Sequence, residues 1–320
     1  MKRVAGGILI VLLGACLAVS AAQRVWHVFA AEQKHTNVTI TTTNDDDSSD
    51  DCAAHLDMHS HEHRAVVRGE EVQSVPNQAL KITAEHNGGI SVTTWDKPEF
   101  SIKLCKQVGA HDDSQARKIL DSTKLNIGGG SVSVSSPESE GEYSLGTLMI
   151  VKAPREAQIG LKVINGGISL NDFTGTAEAR ATNGGVTVKR SSGQLTLEAE
   201  NGGVSIQDCG GDVKATVENG GLSLVLPEHW EGKGLDAHTE NGGLSISIPK
   251  NFNTGLEVTS SEYVGIVCRG NVCENGRQTE RDGNRIFHLG AGETQIHAAA
   301  VNGGIVIQDR GRTHAKADSR

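Results

Sequence analysis

Alternating apolar and polar residues follow a tripeptide that recurs along the chain. The tripeptide is Asn-Gly-Gly, and it begins at Asn87, Asn165, Asn183, Asn201, Asn219, Asn241 and Asn302. Each copy is followed by two aliphatic residues separated by one middle residue, as in Ile168-Ser169-Leu170. The middle residue is Ser or Thr in every copy except the last, which reads Ile305-Val306-Ile307. This period of two predicts a β-strand with one buried face.

A second strand is predicted before each of the central copies. Its apolar and polar residues also alternate, as in Leu195-Thr196-Leu197-Glu198-Ala199, and a glycine stands two residues earlier, at Gly193. Alanine recurs at inward positions of these strands, as at Ala177, Ala179 and Ala181, so we expect a thin core without room for Phe or Trp. The segment from Pro227 to Gly234 lengthens one unit and is expected to be pushed out of a turn.

The spacing of the units decides between two all-β architectures. Asn-Gly between alternating strands is a strong hairpin signal and would give an antiparallel meander. A parallel β-solenoid, similar to a β-helix, would instead wind one coil per repeat. The copies from Asn165 to Asn219 are 18 residues apart and the next interval is 22. This constancy favours a solenoid with coils of about 18 residues.

A solenoid carries a specific expectation for the corner asparagines. Equivalent residues of successive coils would lie about 4.8 Å apart, so each side-chain amide would donate to one neighbour and accept from the other. Asn and Gly also tolerate the left-handed backbone that such a corner requires. We therefore predict a structural ladder of Asn165, Asn183, Asn201, Asn219 and Asn241.

The same patterns divide the chain into parts. The expected parts are a signal peptide or membrane anchor (1–31), a polar Asp/His-rich stalk (32–72), the repeat domain (73–308) and a polar tail (309–320). Within the repeat domain, residues 165–248 hold the regular coils and residues 251–290 an irregular insertion. One helix is expected from Asp113 to Leu125, with Ser114 as its N-terminal capping residue, and it is expected to pack over the N-terminal end of the solenoid.

The N-terminal residues predict an apolar helix that serves export or membrane anchoring. Lys2 and Arg3 precede an uncharged run from Val4 to Ala22. Three alternatives stay open: a cleaved secretory signal, a retained membrane helix of about bilayer thickness, and a lipoprotein with its lipid on Cys16. Each alternative places the rest of the chain outside the cytoplasm, in the cell envelope or beyond it.

The stalk combines an acidic run with a histidine-rich segment. The run from Asn44 to Asp51 is typical of a solvated linker. His55, His59, His61 and His63 follow it, and imidazoles at this density can bind Zn²⁺, Ni²⁺ or Cu²⁺. Because their spacing on a linker fixes no coordination geometry, we expect a polar linker rather than a defined metal site.

The six cysteines agree with an oxidising compartment. Cys268 and Cys273 enclose a short loop and are expected to form a disulfide. The sequence leaves a pairing of Cys52 with Cys105 open. Five cysteines remain without Cys16, so at least one is expected to stay unpaired within the monomer.

Composition and charge exclude several function classes. The net charge of −9 gives no basic surface for nucleic acid, so no nucleic-acid partner is expected. The chain has 39 Gly but only 6 Pro, which excludes a collagen-like repeat. Gly128-Gly129-Gly130 precedes a strand-like segment rather than the helix of a phosphate-binding loop, and no cofactor is predicted.

The repeated units resemble a known family. Together with the upstream stretch from Val92 to Glu99, they are similar to the bacterial putative-adhesin family of exported β-strand repeat proteins, a domain of unknown function. The resemblance covers roughly Gln73 to Gln308. It implies a β-solenoid, a cell-envelope location and no established catalysis.

Three hypotheses for the function follow. We expect a non-enzymatic surface adhesin or scaffold whose flat Ser/Thr-rich faces bind a polysaccharide or a protein. The first alternative is a polysaccharide-active enzyme, because Glu200, Glu218 and Glu240 precede successive corners and stacked carboxylates can act on glycans or hold Ca²⁺. Neither a carboxylate pair nor a basic partner stands near them, so this alternative is the weaker one. The second is a metal-responsive role of the histidine-rich stalk.

Overall fold

The computed structural model describes residues 38–40, 51–52, 56–58, 65–137 and 143–311. They form mainly β-strands, with one α-helix and one short 3₁₀ helix, so the all-β class expected from the alternation is confirmed. No helix within these ranges is long and apolar enough to cross a membrane. The predicted signal or anchor (1–31), Cys16 included, and most of the tail lie outside the described residues.

The strands are numbered in chain order. They are β1 (Val38–Ile40), β2 (Leu56–Met58), β3 (Ala65–Pro76), β4 (Leu80–Trp95), β5 (Glu99–Ala110), β6 (Lys124–Gly128), β7 (Ser131–Ser135), β8 (Tyr143–Pro154), β9 (Gln158–Asn165), β10 (Ile168–Asn171), β11 (Thr176–Asn183), β12 (Val186–Lys189), β13 (Gln194–Asn201), β14 (Val204–Gln207), β15 (Asp212–Asn219), β16 (Leu222–Val225), β17 (Gly234–Asn241), β18 (Leu244–Ile248), β19 (Gly255–Ser260), β20 (Ile266–Arg269), β21 (Arg277–Arg281), β22 (Asn284–Leu289), β23 (Thr294–Asn302) and β24 (Ile305–Asp309). The helix α1 is Asp113–Ser122, and the 3₁₀ helix is Asn271–Asn275.

Strand pairing arranges β3 to β24 in two sheets that share β4, and β1 and β2 form a separate antiparallel pair. The front sheet has the order β3-β5-β8-β4-β10-β12-β14-β16-β18-β24-β20. The back sheet has the order β6-β7-β4-β9-β11-β13-β15-β17-β23-β19-β22-β21. The first half of β4 pairs in the back sheet and its second half in the front sheet.

Strands one repeat apart pair in parallel and in register. Ile168 lies opposite Val186, which lies opposite Val204, so partners in the front sheet are 18 residues apart. In the back sheet Leu195 lies opposite Val213 at the same interval. The two strands that meet at an Asn-Gly-Gly corner belong to different sheets, and such a pair of strands is called a rung below.

The core lies between the two sheets and consists mainly of aliphatic side chains. The expectation that it excludes large aromatic side chains is wrong, because Trp230, Phe100 and Phe173 are each exposed to 1% or less. Phe173 follows β10 and Trp230 follows β16, so both lie where the chain crosses from the front sheet to the back sheet. The indole Nε1 of Trp230 donates to the Gly211 carbonyl at 3.2 Å, so its polar atom is satisfied.

Antiparallel strands and the helix occupy the N-terminal end of the stack. The β5 strand pairs antiparallel with both β8 and β3. The helix packs on β3 and β5 through Ala116 and Ile119, which lie in one apolar cluster with Val67 and Val108. The helix therefore lies at the expected end of the stack, supported by the long outer strands.

The boundaries of the helix differ from the prediction. The helix begins at Asp113 as predicted, but its N-cap is Asp112, whose carboxylate accepts a hydrogen bond from the Gln115 amide at 2.9 Å, so the predicted cap at Ser114 is wrong. Aspartate serves this position because its oxygen satisfies an otherwise free amide of the first turn. The helix ends at Ser122, and Leu125 already belongs to β6.

A buried lysine closes the C-terminal end of the helix. The Lys106 side chain on β5 is only 5% exposed, and its Nζ donates to the carbonyls of Leu120 at 3.1 Å and Thr123 at 2.8 Å. Desolvation lowers the pKa of Lys106, with the nearby Lys124 charge acting in the same direction. The ammonium satisfies carbonyls that have no partner within the helix.

Part of the segment expected to be a stalk packs on the folded body. Strand β3 begins at Ala65 and pairs with β5 over its whole length. Nearer the N-terminus, Cys52 is joined by a disulfide to Cys105, and Leu56 is buried against Leu148. The folded part of the chain therefore begins before residue 73.

The order of the rungs in space differs from their order in the chain at the C-terminal end. Strand β23 pairs with both β17 and β19, and β24 pairs with both β18 and β20. Residues 294–309 therefore lie between two rungs that precede them in the chain. The segment predicted as an irregular insertion (251–290) forms the end of the stack, where Val264 and Phe287 cover the core.

Candidate functional site

The Asn-Gly-Gly corners place asparagine side chains in one column. In each pair the Nδ2 of the later residue donates to the Oδ1 of the residue one rung below. The pairs are Asn183 to Asn165 at 3.0 Å, Asn201 to Asn183 at 3.3 Å, Asn219 to Asn201 at 3.3 Å, Asn241 to Asn219 at 3.1 Å, and Asn302 to Asn241 at 3.1 Å. The column thus contains the five asparagines of the predicted ladder and Asn302. It fixes the register of successive rungs.

The two glycines of a corner have different steric roles. Gly220 has a φ of 157°, and a Cβ on it would lie 1.7 Å from the carbonyl oxygen of Gly202. Gly221 is open by comparison, since the nearest atom to its Cβ would be the Gly243 oxygen at 3.8 Å. The first glycine is therefore required by the close approach of adjacent corners, whereas the second is not.

A row of hydroxyl side chains points outward from the front sheet. Each is the middle residue of the triplet that follows an Asn-Gly-Gly corner, half-buried between aliphatic neighbours that face the core. The row consists of Ser91, Ser169, Thr187, Ser205, Ser223 and Ser245, which lie opposite one another on successive strands. We call this row the hydroxyl face. Its hydroxyls repeat every 4.8 Å or so, and each can donate and accept a hydrogen bond.

Amide and aliphatic side chains flank the hydroxyl face on the next outward column. Asn171 Nδ2 donates to Ser169 Oγ at 3.1 Å, and Gln308 Nε2 lies 3.5 Å from Ser247 Oγ. Lys189, Gln207 and Val225 occupy equivalent positions between them. Lys189 is therefore the one charged residue of this column from Asn171 to Gln308.

The outward face of the back sheet carries charges instead. Arg180 forms ion pairs with Glu178 on its own strand and with Glu198 on the next strand, the latter at 2.9 Å. Lys214 and Asp236 lie opposite each other farther along the same face. The two outward faces thus differ in chemistry, one offering neutral hydroxyls and the other paired charges.

A second column of corners was not foreseen from the sequence. Asp172, Arg190 and Asp208 all adopt positive φ angles, between 48° and 54°. The Arg190 guanidinium pairs with the Asp172 carboxylate at 2.8 Å and 2.9 Å. The recurrence of opposite charges at intervals of 18 residues was a signal that could have revealed this column.

The cysteines of the described residues fall into two pairs and one buried thiol. Disulfides join Cys268 to Cys273 and Cys52 to Cys105. Cys209 is free and buried. Burial raises its pKa to about 11, so its thiol stays protonated at neutral pH.

The carboxylates of the enzyme alternative lie at the surface of the back sheet. Glu200, Glu218 and Glu240 are exposed at equivalent positions before their corners. Elsewhere on the back sheet, the Glu257 carboxylate lies 3.6 Å from His288 Nδ1. Across the described ranges, no three His, Cys, Asp or Glu side chains are placed to hold a metal ion together. His55, His59, His61 and His63 lie outside those ranges, so metal binding by the stalk stays a hypothesis.

Comparison with known proteins finds similar solved structures but no matching family model. No curated protein matches the chain. One similar structure is a "putative cell adhesion protein" from Clostridium sporogenes, with 13% identity, a TM-score of 0.29, and coverage of 76% of this chain and 100% of that one. A "putative adhesin" from Bacteroides fragilis has 10% identity, a TM-score of 0.32, and coverage of 78% and 98%.

A further "putative adhesin", from Parabacteroides merdae, has 8% identity, a TM-score of 0.36, and coverage of 75% of this chain and 95% of that one. The names of these structures agree with the family that the Asn-Gly-Gly units resemble.

Proposed function

We propose that this chain is a non-enzymatic binding protein of the cell envelope, built as a parallel β-solenoid. Parallel pairing of strands 18 residues apart supports the solenoid, and the asparagine column supports its register. The basic and apolar N-terminal residues support export. The disulfides Cys52–Cys105 and Cys268–Cys273 support an oxidising compartment such as the cell envelope.

The binding surface in this proposal is the hydroxyl face. Six rungs present hydroxyls of the same type in one straight row. A row of this kind suits an extended polymer whose own polar groups repeat, and a polysaccharide is the best match because its hydroxyls both donate and accept hydrogen bonds. Each contact is weak, and affinity comes from many contacts made at once.

A glycan array tests this function directly. The full chain is applied to immobilised polysaccharides, and the bound glycans are then incubated with the chain to detect cleavage. We expect binding without turnover. Replacing Ser205 and Ser223 by alanine should weaken binding by roughly tenfold, since two hydrogen bonds of about 0.7 kcal/mol each are lost.

The back sheet supplies the matched control. Thr196 and Thr216 are half-buried outward residues of β13 and β15, so their replacement by valine removes two hydroxyls from the opposite face. This variant should bind as the unchanged chain does. Equal losses in both variants would move the site away from the hydroxyl face, and turnover of a bound glycan would favour the polysaccharide-active enzyme.

A further inference from the structure

The eight Asn-Gly pairs of the chain are chemically prone to deamidation. They are Asn87-Gly88, Asn165-Gly166, Asn183-Gly184, Asn201-Gly202, Asn219-Gly220, Asn241-Gly242, Asn275-Gly276 and Asn302-Gly303. Deamidation begins when the glycine nitrogen attacks the Cγ of the preceding asparagine. The attack requires a nitrogen that can lose its proton and an asparagine side chain free to turn toward it. A hydrogen bond from the glycine N–H therefore protects the pair.

The stacked corners supply this protection. In five corners the glycine N–H donates to the backbone carbonyl of the asparagine one rung above. The bonds run from Gly166 to Asn183 at 3.1 Å, Gly184 to Asn201 at 3.0 Å, Gly202 to Asn219 at 2.9 Å, Gly220 to Asn241 at 3.0 Å, and Gly242 to Asn302 at 2.8 Å.

The two pairs outside this series are also constrained. The Gly276 N–H donates to the Cys273 carbonyl at 3.1 Å. Gly88 is buried within β4, opposite Thr147 of β8. Seven of the eight pairs thus have either a hydrogen-bonded glycine nitrogen or a buried position inside a strand.

The corner at Asn302 lacks both forms of protection. The rung above it, formed by β19 and β20, has no Asn-Gly-Gly corner, so no asparagine carbonyl is present to accept from Gly303. The next amide contact between these rungs is made by Ile305, which donates to the Gly265 carbonyl at 3.3 Å. Over the described residues, the Gly303 N–H has no backbone acceptor of the kind that protects the five corners below it.

The Asn302 side chain is also held less firmly than those below it. It donates to Asn241, but it is the last member of the column and receives no ladder bond in return. Asn219, by contrast, both donates to Asn201 and accepts from Asn241. Asn302 is exposed as well, so water reaches the site.

We propose that Asn302 is a site of spontaneous deamidation, reacting ahead of the other Asn-Gly pairs of the folded chain. The Gly303 nitrogen loses its proton and forms a bond to Asn302 Cγ. The Cγ–Nδ2 bond breaks, and the amide nitrogen leaves as ammonia with the proton it gains. Water then opens the cyclic imide at either carbonyl, which yields aspartate or isoaspartate at position 302.

The reaction changes the end of the asparagine column. A carboxylate at position 302 no longer donates to Asn241, and two acceptor oxygens then face each other. In isoaspartate the main chain instead runs through the Cβ methylene and Cγ, so the carbonyl that accepts from Gly242 becomes a carboxylate outside the main chain. Both products weaken the attachment of the rung made by β23 and β24.

Peptide mapping by mass spectrometry tests this proposal on the full folded chain. The protein is kept in mildly alkaline buffer, and the deamidated fraction at each Asn-Gly pair is followed with time. We expect Asn302 to react at least about tenfold faster than Asn201 or Asn219, the ratio that a modest difference in activation free energy produces. The same chain in urea is the control, because without structure all eight pairs should react at similar rates.

Two results would overturn the proposal. One is an Asn302 that reacts no faster than Asn201 and Asn219 in the folded chain. The other is preferential reaction at Asn275, whose glycine nitrogen is hydrogen-bonded. Hydrogen exchange gives an independent measure, since the Gly303 amide should exchange faster than the Gly220 amide.

Discussion

Arg310 forms a two-armed ion pair with Asp208, a residue 102 positions earlier in the chain. Its Nη2 lies 2.7 Å from Asp208 Oδ2, and its backbone amide donates to the Ile248 carbonyl at 2.7 Å. The Arg310 Nη1 also donates to the carbonyl of Leu226, which follows β16, at 3.4 Å. This contact ties the segment after β24 to the middle of the stack.

Replacing Arg310 by methionine should destabilise the chain by about 1–2 kcal/mol, because a bidentate pair of partly buried groups is lost. The free energy of unfolding in urea gives the value. Lys233→Met is the control, since its ion pair with Asp212 is largely exposed and should contribute little. Equal losses of unfolding free energy in the two variants would show that the Arg310–Asp208 pair stabilises the chain no more than an exposed ion pair does.

The two glycines of one corner should respond in opposite ways to the same substitution. Gly220→Ala places a methyl group against the Gly202 carbonyl and forces the rungs apart, with an expected loss of about 3 kcal/mol or more. Gly221→Ala meets only an ordinary contact and should change stability by less than about 1 kcal/mol. Thermal unfolding of both variants checks the prediction, and it fails if Gly221→Ala is the more damaging change.

Removing an interior asparagine should cost more than removing the terminal one. Asn219→Ala breaks two ladder bonds and should lower the free energy of unfolding by about 1–3 kcal/mol. Asn302→Ala breaks one bond and should lose roughly half as much. Equilibrium unfolding measures both. Identical small effects would mean that water replaces the ladder bonds without loss.

The stability of the chain should fall at high pH through Cys209. Burial raises the pKa of this thiol from 9.0 to about 11, so the folded state keeps its proton while the unfolded state loses it. The stabilisation is complete below the unfolded pKa and is lost as pH rises through the folded pKa, with a total of about 3 kcal/mol.

The Cys209→Ala variant isolates this contribution, because other groups titrate in the same range. The unfolding free energy of the native chain minus that of the Cys209→Ala variant should fall between pH 9 and pH 11. This window is set by the pKa of the thiol in the unfolded and in the folded state. The native thiol should also resist alkylation at neutral pH. Rapid alkylation of the folded chain would show that Cys209 is accessible.

The helix should depend on Lys106. Lys106→Met removes two hydrogen bonds to helix carbonyls in a buried setting and should cost about 1–3 kcal/mol. Hydrogen exchange should accelerate first in α1, whose last turn loses its partner. Lys118→Met, on the exposed side of the same helix, should leave the exchange rates unchanged.

The repeat made the regular rungs predictable. Asn-Gly-Gly with flanking aliphatic residues identifies β10, β12, β14 and β16, and the constant interval points to parallel partners in register. The hydroxyls of the candidate binding face follow from the same alternation, because every second residue of a one-sided strand points outward. Identity of the ligand does not follow, since a neutral row of hydroxyls matches many polymers.

The remaining features depend on contacts between distant segments. Trp230 lies in a corner that the repeat pattern marks only as extra length, so its burial was not foreseen. Ser114 was predicted as the helix cap, but the Asp112 carboxylate is the group that accepts the hydrogen bond from the Gln115 amide in the first turn. The position of β23 between β17 and β19 involves pairings that local sequence does not encode.

That inverted order has a consequence for how the chain matures. A polypeptide delivered from its N-terminus, whether by a ribosome or through a translocation channel, presents residues 255–269 before residues 294–309. The earlier segment cannot reach its final neighbours until the later one has entered between them. Assembly of this end of the stack is therefore a late step, which follows the synthesis or translocation of residues 294–309. Until then, the outer edges of β17 and β18 are unpaired and accessible to proteins that bind nascent chains.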